Sequence, residues 1–175
     1  MIFYPIDLKT WPRAQMFYYF SQMAPTGYSV TVDMDVTRLR KTLKESNRKF
    51  FPTYLYLVTK CLNRQQEFKI AYQDKTLGYY ETLTPLYASF HEENKTFSLM
   101  WTAYEESYDT FYRNYPENQR RFGENPGVLS QPQTPPPNSH GAMWYSLPRS
   151  LPGNVFAHEN FAPSHCRGGP QPPAR

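Results

Sequence analysis

The most regular alternation in the chain lies in "GYSVTVDMDV" (27–36). Tyr28, Val30, Val32, Met34 and Val36 alternate with small or acidic residues, the two-residue period of a half-buried strand. Before it, "DLKTWPRAQMFYYFSQMAP" (7–25) places Phe17, Phe20 and Met23 at helical spacing. Thr10 is positioned as a cap, Pro12 falls in the first turn, and Pro25 and Gly27 end the helix. After it, Thr37–Ser46 predicts a short helix with Leu39 and Leu43 inward and Arg38, Lys41 and Lys44 outward, and Pro52–Gln65 a second, more apolar one. "EFKIAYQ", "LGYYET" and "PLYASFH" then predict a meander of strands broken by the turn signals "DKT" and "TLT". Glu105 to about Phe122 predicts another helix, irregular around Pro116. Mixed helices and antiparallel strands with no internal repeat predict an α+β fold.

Composition changes this picture at one end of the chain. Of the 17 prolines, 11 fall in residues 126–175, and "RGGPQPPAR" at the end has no core former apart from Ala174. The sequence therefore predicts a boundary near 140, with 140–175 a Pro-rich, disordered or poorly packed tail. The remainder has a globular composition: 17% aromatic residues, with 15 Tyr and 12 Phe, predict a core or pocket built from rings whose hydroxyl edges need partners.

Charge and cysteine content mostly exclude. The formal charge of +4 is spread along the chain, and its densest basic stretch, "RLRKTLKESNRKF" (38–50), reads as a solvated helix face with no glycine-rich aromatic signature beside it. Nucleic acid is therefore not an expected partner. Cys61 sits in an apolar-periodic run and is expected to be a buried thiol. Cys166 lies far from it, and neither a disulfide framework nor a metal site is expected, the adjacent His165–Cys166 pair having no further ligands at useful spacing. "MIFYPIDLKTW" is not a signal peptide and no window approaches a membrane span, so the expected location is cytoplasmic.

Three blocks, "IDLKTWPRAQMFYYF", "PTGYSVTVDMDVT" followed by a basic helix and "KFFPTYLYLVTKCLNRQQEFKIA", and "LYASFHEENKTFSLMW", occur in one order and spacing. Through them residues 1–139 resemble the chloramphenicol acetyltransferases, trimeric enzymes that move an acetyl group from acetyl-CoA to a hydroxyl of the antibiotic. The resemblance implies the two-layer α+β sandwich of the CoA-dependent acyltransferases, incomplete here at the C-terminus, with acetyl-CoA as co-substrate, no metal, and a homotrimer as the family's assembly. It also implies that Tyr19, Phe20, Thr26 and Phe97 line the antibiotic pocket, where rings suit a nitrophenyl group. Read alone, Tyr19 and Phe20 on a helix fit plain core or surface positions equally. Arg13 matches an arginine that pairs with an aspartate of the catalytic motif, and His91 in "SFHEEN" matches a structural position and not the base.

The family's chemistry needs a neutral histidine that takes the acceptor's hydroxyl proton as the oxygen attacks the thioester. The resemblance places it in a C-terminal His-His-x-x-x-Asp-Gly motif, with a serine before a Pro-Trp pair to hold the oxyanion. Neither is present: after "TPPPNS" the chain reads "HGAMWYSLPRSLPGNVFAHENF", and His140, His158 and His165 are neither doubled nor followed by Asp-Gly. No catalytic residue is assigned. A break of this kind is what a reading-frame shift would produce. The expectation is an acetyltransferase by descent, inactive alone, with low solubility from an unpaired sheet edge. A drug-binding or partner subunit supplying only the pocket side is the alternative, and a non-functional gene product a third reading.

Overall fold

A computed structural model describes residues 1–27 and 29–141. The expected α+β architecture is present as two small sheets with helices. The first sheet has order β1-β3-β2, from Phe3–Pro5 (β1), Ile70–Gln73 (β2) and Thr76–Tyr80 (β3), all antiparallel. The second has order β5-β4-β6, from Thr84–His91 (β4), Thr96–Trp101 (β5) and Ser139–Gly141 (β6); β4 is antiparallel to β5 and parallel to β6. β3 and β4 lie in different sheets, so the expected meander is instead two hairpins joined by residues 81–83. At that junction the Leu83 N–H donates to Asn63 Oδ1 (2.7 Å) and the Thr84 N–H to the Asn138 carbonyl (3.0 Å).

Ala14–Tyr18 forms α1, which widens into a single π turn at Tyr19–Met23, closed by Ala24 N–H on the Tyr19 carbonyl (2.8 Å). Thr10 does not cap it; its hydroxyl donates back to Asp7. Thr37–Glu45 forms α2 with Leu43 buried and the basic residues outward, as its pattern predicts. Phe50–Asn63 forms α3, and Tyr108–Phe122 forms α4, which starts three residues later than expected. There Ser107 caps it by accepting the Thr110 N–H (3.4 Å).

The core sits between the second sheet and helices α3 and α4. Leu55 and Tyr56 from α3, Tyr87 from β4, Met100 from β5 and Phe111 from α4 form one buried cluster. Its polar atoms are mostly satisfied: Tyr56 donates to the Glu106 carbonyl (2.6 Å), and the Tyr87 hydroxyl pairs with Thr102 (2.9 Å). Burial pushes the Tyr87 phenol well above its ordinary value, and Tyr115, beside it, up to about 12.

Two expectations fail. Residues 29–36 form no strand: Val30, Val32 and Met34 are exposed and no ladder partner exists for them among the described residues. An alternating segment becomes a strand only when a neighbour accepts its backbone groups, and the described part of this chain offers none. Cys61 is exposed, because the buried stripe of α3 runs through Leu55, Thr59 and Leu62 and leaves Cys61 on the outer side. The expected tail, apart from His140 and Gly141, lies outside the described residues, as do His158, His165 and Cys166.

Candidate functional site

The residues matched to the antibiotic pocket fall in two places. Tyr19 and Phe20 follow each other in the π turn, their rings edge to face at 5.1 Å and both about half exposed. Thr26 joins them: its N–H donates to the Phe20 carbonyl (3.1 Å) and its hydroxyl to the Ala24 carbonyl (2.7 Å). The wide turn makes this possible, since an ordinary helical turn would carry residues 20 and 26 onto separate levels. Phe97 stands apart on β5, opposite Phe90 and exposed, with no ring contact or hydrogen bond to the other three.

Arg13 borders a cleft of about 270 Å³ lined also by Ile6, Trp11, Pro12, Gln66, Glu67 and Ile70. Its guanidinium donates to Glu67 Oε1 at 2.7 Å, linking the start of α1 to the short 3-10 turn at Gln66–Lys69. The bond from Arg13 holds the Glu67 carboxyl below its ordinary value. Both groups are more than half exposed, so solvent screens the pair and it serves mainly to fix direction. Glu67 carries no local sequence signal for this role, because the two charges, 54 residues apart, meet only where the start of α1 approaches the 3-10 turn that follows α3.

The histidines are engaged or enclosed. His91 Nε2 lies 2.8 Å from Ser98 Oγ, whose own hydroxyl reaches the Gly127 carbonyl, so the pair fastens the 125–130 loop to the β4–β5 hairpin. His140 is buried in β6, with Nε2 3.0 Å from Thr59 Oγ1. Burial pushes this imidazole down to about 4, which keeps it neutral, and it does not line the cleft beside Arg13. Among the described residues no three His, Cys, Asp or Glu side chains cluster closely enough to hold a metal ion, and no helix is long and apolar enough to cross a membrane.

A family model described as chloramphenicol acetyltransferase matches residues 1–162. A chloramphenicol acetyltransferase of Clostridium perfringens is 35% identical over 125 residues, covering 71% of this chain and 57% of that protein. One from Campylobacter coli is 36% identical over 136 residues, covering 77% of this chain and 64% of its own length. The chain thus spans between 55% and 64% of the length of the curated relatives it matches. A solved chloramphenicol acetyltransferase structure superposes with a TM-score of 0.71 at 19% identity, over 94% of each chain, which establishes the fold.

Proposed function

The chain belongs to the chloramphenicol acetyltransferase family, and from that premise we propose that it serves acetyl transfer from acetyl-CoA to a hydroxyl of chloramphenicol by supplying the pocket side of the site. The family match over residues 1–162 carries this reading. The exposed Tyr19–Phe20 ring pair, with Thr26 bonded behind it, supports it: two perpendicular ring faces suit an aryl group, and a neighbouring hydroxyl can orient a polar one. Phe97 completes the pocket from another surface, which fits a site formed between subunits of a homotrimer. Arg13 and His91 are assigned supporting roles, the first directing the chain around the cleft and the second fastening the hairpin. We propose residues 1–139 as the family-like portion and 140–175 as a divergent segment, into which the family match extends as far as residue 162, and the expected location is cytoplasmic.

In the reaction the acceptor oxygen forms a new bond to the acetyl carbonyl, the carbon–sulfur bond breaks, and the hydroxyl proton passes through a base to the departing CoA thiol. These 175 residues contain no His-His pair. Of the described histidines, His91 is engaged by Ser98 and His140 is buried within β6, and neither His158 nor His165 stands in the family's motif. We assign the base to a partner chain.

Chloramphenicol-dependent release of CoA from acetyl-CoA tests this in two arms. The purified chain alone is expected to release none. Mixed with an intact family member whose own aromatic pocket has been disabled, it is expected to restore release. Turnover by the chain alone would overturn the assignment of the base, and failure of the mixture would overturn the pocket role. A second reading, capture of the drug without turnover, is favoured by the same ring pair. It predicts saturable chloramphenicol binding by the isolated chain, lost in Tyr19→Ala and Phe20→Ala.

A further inference from the structure

His140 is the middle residue of β6, and its surroundings suit a neutral ring only. It is 6% exposed. On one side it lies opposite Pro85 of β4, which has no N–H to give to the ladder. On the other it meets Thr59 of α3, whose hydroxyl donates to the Leu55 carbonyl (2.7 Å) and so can only accept from the ring. The proton therefore resides on Nε2, and the lone pair on Nδ1. Nδ1 is buried and reaches no hydrogen-bond partner of ordinary geometry among the described residues. A second proton would have to be placed there, away from water, with only the adjacent Gly141 backbone, outside ordinary hydrogen-bond geometry, to favour it.

Among the described residues no charge nearby offsets that cost. On α3, Tyr56 donates to the Glu106 carbonyl and receives the Lys60 ammonium, Tyr54 stacks on Phe50, and Cys61 is exposed. On β4, Tyr87 is bonded to Thr102 and His91 to Ser98. In the loop leading to β6, Glu124 is exposed. The ring responds to burial first and to the adjacent Gly141 backbone second, with no coulombic contribution from any of these groups.

We propose that His140 is an acid-sensitive latch. With its imidazole neutral the ring seats β6 against β4 and α3; when Nδ1 takes a proton the ring leaves Thr59 and the 136–141 segment undocks, while the core around Leu55, Tyr87 and Met100 stays folded. Among the described residues the segment's other attachments are Thr84 N–H to the Asn138 carbonyl, Asn138 Nδ2 to the Thr82 carbonyl (2.7 Å) and to Thr84 Oγ1 (3.4 Å), and three residue pairs of parallel ladder. The undocked ring takes a proton below its ordinary 6.5, whereas the seated ring does so only near 4. Docking is thus fully present above about 6.5, weakens as the pH falls, and stops changing below about 4. The docking equilibrium drops about tenfold per pH unit across that window, about 300-fold in all.

The Thr84 amide reports on the latch because it bonds directly to Asn138. Hydrogen exchange of the full chain by NMR, corrected for the intrinsic pH dependence, is expected to show the Thr84 protection factor falling about tenfold per unit from pH 6.5 to 4, with amides of β5 unchanged. His140→Phe, which keeps the volume without the titration, and His140→Gln, which keeps a neutral polar group, are each expected to flatten the profile. One folded variant suffices for the comparison. A flat wild-type profile, or an undiminished slope in the folded variant, would overturn the proposal.

Discussion

Asn63, the last residue of α3, acts as a backbone substitute for Leu83. Its Oδ1 accepts the Leu83 N–H at 2.7 Å and its Nδ2 donates to the Leu83 carbonyl at 3.3 Å. Leu83 is itself buried and sits where the chain passes from one sheet to the other, so no water replaces the side chain if it is removed. Asn63→Ala leaves a buried N–H unpaired and is expected to cost about 1–3 kcal/mol in urea unfolding. Cys61→Ala, on the exposed side of the same helical turn, is expected to stay within about 0.5 kcal/mol of the parent chain. Equal effects of the two would remove Asn63 from this role. Nothing local in the sequence marks Asn63, since the bond spans 20 residues and an asparagine near a helix end ordinarily reads as a solvated terminus. Glu67 as the partner of Arg13 and Thr59 as the partner of His140 were hidden for the same reason.

At the scale of elements, what could be read from the chain depended on whether an element's partners lay close in sequence. Helices α2, α3 and α4 carry their periods within themselves, and β2, β3 and β4 are bounded by turn residues, so their existence was legible. β5 was missed because "SLMW" runs straight on into the aromatic and charged stretch that reads as helical, β1 and β6 because three residues carry no period, and 29–36 was misread because a strand's pattern does not supply its neighbour. The turn between β2 and β3 shows how local chemistry also falls short. Gln73 pairs with Thr76, which leaves a two-residue loop in which Asp74 and Lys75 have φ of 48° and 67°. This is the sign that a type I′ turn demands, and glycine adopts it without the steric cost that a Cβ imposes. Lys75→Gly is expected to raise stability by about 1 kcal/mol, read as a higher thermal midpoint. A lower midpoint would mean that the turn does not hold this conformation.

Over the whole molecule, one face of the second sheet is finished and the other is not. Tyr87, Ser89 and His91 of β4 lie opposite Met100, Ser98 and Thr96 of β5, and this face is closed by α3, α4 and the loop beyond. The alternate positions pair Leu86 with Trp101, Ala88 with Leu99 and Phe90 with Phe97, so the second face is apolar throughout. Exposure along β5 rises from 7% at Trp101 to 55% at Phe97, with Phe90 at 56%. Phe90 and Phe97 thus leave apolar surface in water at the far end of this face, and Val30, Val32 and Met34 add further exposed apolar side chains. An apolar second face needs cover, and assembly of copies, which the proposed function invokes, would supply it. Phe90 lies at the exposed end of this face, outside the matched pocket residues, and its replacement leaves the core cluster untouched. Phe90→Glu is expected to weaken self-association roughly 10- to 100-fold, the equivalent of about 1.5–3 kcal/mol of ring burial. Urea unfolding of the isolated chain should shift by less than about 0.5 kcal/mol, because the ring is already exposed there. Sedimentation equilibrium over a range of concentrations measures the association. A parent chain that is monomeric throughout, or a variant that associates as strongly as the parent, would mean that this face is not the one that copies cover.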